Sequence, residues 1–533
     1  DHGKYVVNGG FSLWLMQNQY EAAVKYGFED KYADGTMNIP ENTNGYPDLL
    51  DEARWEMDWM FSMIVDSGEY KDMVYHKAHD EKWTALGIAP ADDTMKRIVK
   101  PPTTAATLNF VACAAQAARL WKGIDDSFAD KCLEAAERCY EAAKKHPDMF
   151  APLDESVGGG AYGDTDVSDE LCWAATELFI TTGNEDYYDD TTESRFFLDV
   201  PTSLGGGESV DTVGSFDWGN TAACGTLSAA LNTDAFDKGD AEIITDAVTG
   251  AADYFIELEK SQGYGLPYGQ SKLAYNDSDE GYIWGSNSFV TDNAIVIAYA
   301  YLLTGDGEYL DGAIGGMDYI LGRNAMDYSY VTGYGSHTTE YPHHRYWSQL
   351  IDESFPKAPC GVMAGGPNSG MQDPWVQGSG WKKGQIAPQK CYLDHIEAWS
   401  VNECTINWNA SLAWLAGFLA EENGGIVVGE TGRSAGIVND GGEDESNAKA
   451  TTAKTDKAGR TVTTTKAAKA VKADDDESGK SSAAVWIAVA IIVAVVALAG
   501  VILAIALMIF IYKMVKLKSE KGTGTPDKPE DKK

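Results

Sequence analysis

The chain has 533 residues, 44% of them hydrophobic, enough for a large globular core. Its 81 Asp and Glu outweigh 42 Lys and Arg, a formal charge of -39, and this acidity excludes a nucleic-acid partner, which would call for a basic face. Eight cysteines contain no CxxC pair, which argues against a zinc cluster and leaves disulfide pairing open.

The sequence begins at Asp1-His2-Gly3-Lys4-Tyr5-Val6-Val7 without Met, a basic region or an apolar signal core, so a processed product or a fragment is expected. Apolar residues then recur at three- and four-residue spacing in 10–26, 47–66 and 103–145, which predicts amphipathic helices. Cys132 and Cys139, seven apart, fall on one face of the third run, where buried free thiols are expected. Similar runs recur at 169–182, 240–259, 288–304, 309–322 and 403–420, separated by loops rich in Gly, Pro, Asn and Asp. The stretch from Leu178 to Tyr187 echoes that from Leu302 to Tyr309, each reading as a helix end, a Gly-containing turn and a helix restart. Repeated αα-hairpins of this kind predict an all-α toroid over 1–422.

Three loops concentrate chemistry. The segment 164–170 gathers hard oxygen ligands ahead of a helix, an arrangement that suits calcium as well as ordinary capping. Pro342-His343-His344-Arg345 follows the Gly- and Tyr-rich 329–335. The stretch 392–410 sets Asp394 and Glu403 among Tyr392, Trp399, Asn402, Asn407, Trp408 and Asn409. Rings stack on pyranose faces while amides and carboxylates bind hydroxyls, so this composition points to a sugar-cleaving site. Trp83, Trp218, Trp284 and Trp347, in or near polar loops, are candidate stacking platforms.

Beyond Glu422 the character changes. Residues 423–482 are rich in Gly, Thr, Ala, Lys and Asp, which predicts a disordered stalk. The run 483–512 carries no charge, and thirty helical residues reach about 45 Å, more than the roughly 30 Å of a bilayer core. Lys513, Lys516 and Lys518 follow, so the positive-inside rule predicts a single span with a cytoplasmic tail at 513–533 and the large domain outside, at the plasma membrane.

The order of Tyr392, Asp394, Trp399, Glu403, Thr405, Asn409 and Ala410 resembles the C-terminal signature of glycoside hydrolase family nine, and the loop ending in His343-x-Arg345 resembles the family's other signature, with His337 where Asn, Lys or Arg is usual. The resemblance implies an (α/α)6 barrel with an open cleft at one end. It implies Glu403 as general acid, Asp394 as a supporting carboxylate, and His343 and Arg345 as groups that bind sugar hydroxyls and polarise the site. Trp284, before a Gly, would be a subsite platform, with Trp83 a further one. The N-terminal stretch resembles the family's Asp-Ala-Gly-Asp segment, in which two acids hold the nucleophilic water; only the second is present, as Asp1, which would be the general base. Calcium would be structural, held by Thr165, Asp169, Glu170 and, from elsewhere in the chain, Asp217, and catalysis would need no cofactor. The implied reaction is inverting hydrolysis of internal β-1,4 bonds in cellulose or a related glucan; the alternative is a membrane-anchored carbohydrate-binding protein without catalysis.

Overall fold

The computed structural model describes residues 2–152, 156–206, 209–273 and 276–422, with backbone alone at 206, 209–210, 273 and 276–279. Asp1, the expected stalk, the 483–512 span and the tail lie outside the described residues, among which no helix is long and apolar enough to cross a membrane.

The apolar periodicity is realised as helices arranged in pairs. In chain order they are α1 (Val6–Tyr26), α2 (Asp48–Phe61), α3 (Thr104–Trp121), α4 (Asp126–Lys145), α5 (Ser168–Thr182), α6 (Glu185–Thr192), α7 (Ala222–Leu231), α8 (Lys238–Ser261), α9 (Ser286–Thr304), α10 (Gly307–Ile320), the short α11 (Pro374–Gly378) and α12 (Trp399–Asn402), and α13 (Ile406–Glu422). Helices α1, α3, α5, α7, α9 and α13 pack each against the next, and α13 returns to α1, closing a six-membered ring. Around it α2, α4, α6, α8 and α10 each pack on the inner helix of their own pair. The sixth outer place has no long helix, because 321–405 runs mostly as loop.

Burial explains this sorting. Helices α3 and α9 are buried at nearly every position, as befits elements covered on all sides, and the many alanines of α3 let its neighbours come close. By contrast α4 and α8 bury a single stripe and face water with the rest. Inside the ring, Trp14 meets Trp173 and Phe216 edge-on at centroid distances of 6.1 and 5.9 Å. Arg119 is pinched between two buried acids, with Nε 2.6 Å from Glu21 Oε1 and Nη1 2.7 Å from Glu177 Oε2. The guanidinium and its hydrogen bonds hold Glu21 below the usual carboxylate range although burial opposes this.

Strands are short. The one sheet that matters for the site joins β1 (Lys4–Tyr5), β2 (Lys77–Asp80) and β3 (Arg97–Val99), with Lys4 opposite Ala78 and Asp80 opposite Arg97.

Two expectations are corrected. The 103–145 run is two helices, broken where Gly123 adopts φ 82° and Asp125 caps α4 by accepting from the Phe128 N–H at 3.1 Å. Glu403 does not open a helix: it is the extended residue that ends α12, with φ -62° and ψ 150°. Helix α7 escaped the periodic reading because all ten of its residues are buried, leaving no polar face for contrast. The expected thiols are found: Cys132 and Cys139 are buried and free on α4, and the other six cysteines are free too.

Candidate active site

Glu403 owes its conformation to its backbone. Its carbonyl accepts from the Gly365 N–H at 2.7 Å, and the preceding Asn402 carbonyl accepts from the His343 N–H at 2.7 Å. These bonds pull the chain out of helix and set Glu403 beside His343 in a parallel bridge. Burial raises the pKa of its carboxyl above the usual range, opposed by the positive charge of Arg345 and a hydrogen bond from Trp284. A carboxyl whose pKa is raised in this way is better suited to donate a proton than an exposed one.

Asp394 is saturated with donors from its own protein. Oδ1 accepts from the Tyr341 N–H at 3.1 Å and Asn402 Nδ2 at 2.9 Å, and Oδ2 from the Glu340 N–H at 2.8 Å and Tyr328 Oη at 3.0 Å. Its supporting role is thus to pin the 328–341 loop to the stretch that ends in Glu403. Asn402 completes this junction by accepting from Tyr392 Oη at 2.7 Å.

His343 is buried with both ring nitrogens engaged. Nδ1 lies 2.5 Å from the Ile396 carbonyl, so it carries the proton, and Nε2 accepts from Arg345 Nη1 at 2.5 Å. Burial, with Arg345 beside it, lowers its pKa to about 3, so the ring is neutral. This differs from the expected contact with sugar hydroxyls: His343 orients Arg345. Arg345 in turn donates from Nε to the Thr84 carbonyl at 2.9 Å.

Two of the four candidate tryptophans, Trp284 and Trp83, stand next to these groups. Trp284 packs on Trp399 with centroids 5.2 Å apart and rings tilted by 31°. It precedes Gly285, whose φ of 77° begins α9 and where a Cβ would sit 2.6 Å from the Trp408 ring, so only glycine fits. Trp83 is 49% exposed and anchored by its indole N–H to the Ser156 carbonyl at 3.1 Å, adjacent in sequence to Thr84. Tyr5 of β1 is close enough to Glu403 and Arg345 for their charges to act on its hydroxyl. Tyr5 belongs to the N-terminal stretch that carries the family resemblance, whereas Thr84 carries no sequence signal, because it meets Arg345 through its carbonyl, which every residue has.

The acidic cluster is a second feature. Asp164, Asp169, Glu170 and Asp217 are buried. Asp169 Oδ2 accepts from the Thr221 N–H at 2.7 Å and Asp217 Oδ1 from Asn220 Nδ2 at 2.8 Å. Burial, reinforced by neighbouring acids, raises Asp164 to about 7 and Glu170 well above the usual range. Asp164 Oδ2 and Glu170 Oε2 are shielded from water without a hydrogen-bond partner. Buried carboxyl oxygens with no donor are what a bound proton or a hard cation satisfies, and Asp164 belongs to the same buried group as Asp169, Glu170 and Asp217. Thr165 is exposed at its edge.

A family model described as glycosyl hydrolase family 9 matches residues 1–416. The chain belongs to glycosyl hydrolase family 9. It is 46% identical over 434 residues to a cellulose 1,4-beta-cellobiosidase of Acetivibrio thermocellus, covering 79% of this chain and 48% of that one. It is 44% identical over 425 residues to endoglucanase C of Cellulomonas fimi, covering 79% and 37%. It therefore spans about half or less of these relatives' length. A solved Bacteroides ovatus GH9 structure superposes with a TM-score of 0.64 at 32% identity, over 79% of this chain and 70% of that one. The helical ring is thus the family 9 barrel.

Proposed function

We propose that this family 9 hydrolase cleaves internal β-1,4-glucosidic bonds of cellulose or a related β-glucan by inversion. The observation that carries the reading is Glu403, a buried carboxyl whose pKa burial raises, beside Arg345 and the Trp284–Trp399 pair. Glu403 would protonate the departing glycosidic oxygen while Asp1 takes the proton of a water attacking the opposite face, the two carboxyls standing about 6.5–9.5 Å apart. Arg345, oriented by His343, would bind hydroxyls and moderate the Glu403 pKa, and Trp284 and Trp83 would stack on glucose rings. The names of the relatives, one a cellobiosidase and the other an endoglucanase, support the glucan substrate.

Calcium bound by Asp164, Asp169, Glu170 and Asp217, with Thr165 at the edge, would be structural and take no part in the reaction. The enzyme would act at the plasma membrane, its domain of residues 1–422 outside the cell on the 423–482 stalk and anchored by 483–512.

Release of reducing ends from carboxymethyl-cellulose by the full chain tests the reading, with a Glu403→Gln variant in parallel. Loss of release in the variant supports it. No release by either, with cello-oligosaccharide binding retained, would favour the carbohydrate-binding alternative, and membrane fractionation tests the anchor.

A further inference from the structure

The residue that follows the proposed general base is held more tightly than its place at the edge of the barrel requires. His2 Nδ1 lies 2.8 Å from Asp93 Oδ2. Its Nε2 is shielded from water and has no hydrogen-bond partner among the described residues, so the ring's orientation rests on Asp93. The His2 carbonyl accepts from Arg97 Nη1 at 2.8 Å, and the same nitrogen donates to the buried Asp80 at 2.8 Å. Thr84 Oγ1 joins the two acids, 2.9 Å from Asp80 Oδ2 and 3.2 Å from Asp93 Oδ2. Asp93 is itself fixed by the Met95 N–H, which donates to Oδ1 at 2.9 Å.

Thr84 is also the residue whose carbonyl receives Arg345 Nε at 2.9 Å. The β2–β3 hairpin therefore holds the His2 ring through Asp93 of its loop and the His2 carbonyl through Arg97 of β3, while the main chain of Thr84 in the same loop holds the arginine next to Glu403. The ligand atoms of His2, Asp80 and Asp93 lie within 4.8 Å of one another, but Arg97 already supplies the positive charge that a metal ion would bring. The arrangement suits a brace better than a metal site.

We propose that Asp93, acting through His2 and tied to Arg345 by Thr84, is a positioning residue that sets the general base against the general acid. The inference rests on the reading of Asp1 as that base. Consecutive Cα atoms are about 3.8 Å apart, so rotation of a freed His2 peptide carries the Asp1 carboxylate with it, and misplacements of about 1 Å are enough to cost large factors in rate.

The test uses the full chain and two substrates, cellotetraose and 2,4-dinitrophenyl β-cellobioside. The dinitrophenolate departs without protonation, so its release needs the base and not the acid. Asp93→Ala is expected to lower kcat by about 10–100-fold on both substrates with KM within about 2-fold and the thermal midpoint retained. Asp93→Asn, whose one oxygen keeps the Met95 N–H and whose amide nitrogen can donate to His2 Nδ1 in its other tautomer, should recover kcat to within about 3-fold of the parent. Glu403→Gln should lose cellotetraose cleavage and keep dinitrophenol release. Unchanged kcat in folded Asp93→Ala, a loss confined to cellotetraose, or a rise in KM alone would overturn the proposal. If Asp93→Ala does not fold, Thr84→Val carries the test, with about a 3–10-fold fall in kcat on both substrates expected and an unchanged kcat overturning it. An Asp1→Asn variant separates the two levels. Full activity there removes the base itself, whereas an inactive Asp1→Asn beside an unaffected Asp93→Ala removes only the brace.

Discussion

At the scale of single residues, the electrostatics of Glu403 fix a direction for its pH behaviour. The acid must be protonated to act, so activity falls as pH rises through its pKa. Arg345 lowers that pKa, and its removal should move the basic limb of the kcat/KM profile to higher pH while reducing kcat; a limb that stays in place or moves down would contradict the assignment. His343, at about 3, contributes no limb between pH 4 and 8. Asp394→Ala leaves at least four donors without their acceptor and should lower stability by about 2–4 kcal/mol in urea titration, because a stranded partly buried donor costs more than the bond was worth. The chemistry was legible in the sequence wherever it depends on residue type: Glu403, Asp394, His343 and Arg345 stand in two short stretches, and the fold brings both together. Connections made through backbone were not legible. The bonds of Thr84 to Arg345 and of Gly365 to Glu403 use groups common to every residue, and only the folded chain selects them.

At the scale of elements, the start of α9 is a place where the fold and the site share one constraint. Gly285→Ala would force a side chain into the left-handed region and against the Trp408 ring, and should cost about 2–4 kcal/mol in thermal unfolding. Because Trp284 is its neighbour, KM for cello-oligosaccharides should rise as well. Helix existence could be read from periodicity for most outer and most inner helices, while α6 shows only as a helix restart near Tyr187. It failed for α7, whose entire circumference is buried, and misjudged the ends where a glycine or a backbone bond intervened, as at Gly123 and Glu403. Periodicity reports contrast between faces, and an element with one environment offers none.

For the whole molecule, two buried charge clusters govern stability. Arg119→Met would strand Glu21 and Glu177 inside the ring and should cost about 3–5 kcal/mol by urea titration. The acidic cluster behaves differently. Asp164 is raised to about 7, so in the metal-free protein its protonated form is the one folding favours. That contribution is complete below the ordinary carboxylate range near pH 4 and is lost as pH rises to about 7. Calcium would take over where the proton leaves, so a chelator should lower the thermal midpoint more at pH 8 than at pH 5, and an equal effect at both would argue against a cation there.

The ring closes where its last helix meets its first, and the proposed acid immediately precedes α13 while the proposed base precedes α1. Glu403 and the strand that leads into α1 thus flank the one seam of the ring that chain connectivity within the described residues does not hold shut. Catalysis becomes a gauge of that seam: in mild urea, turnover should fade before the helical circular dichroism does, since a slight parting of α1 from α13 would carry the strand of Tyr5 away from Glu403 while every helix remains intact.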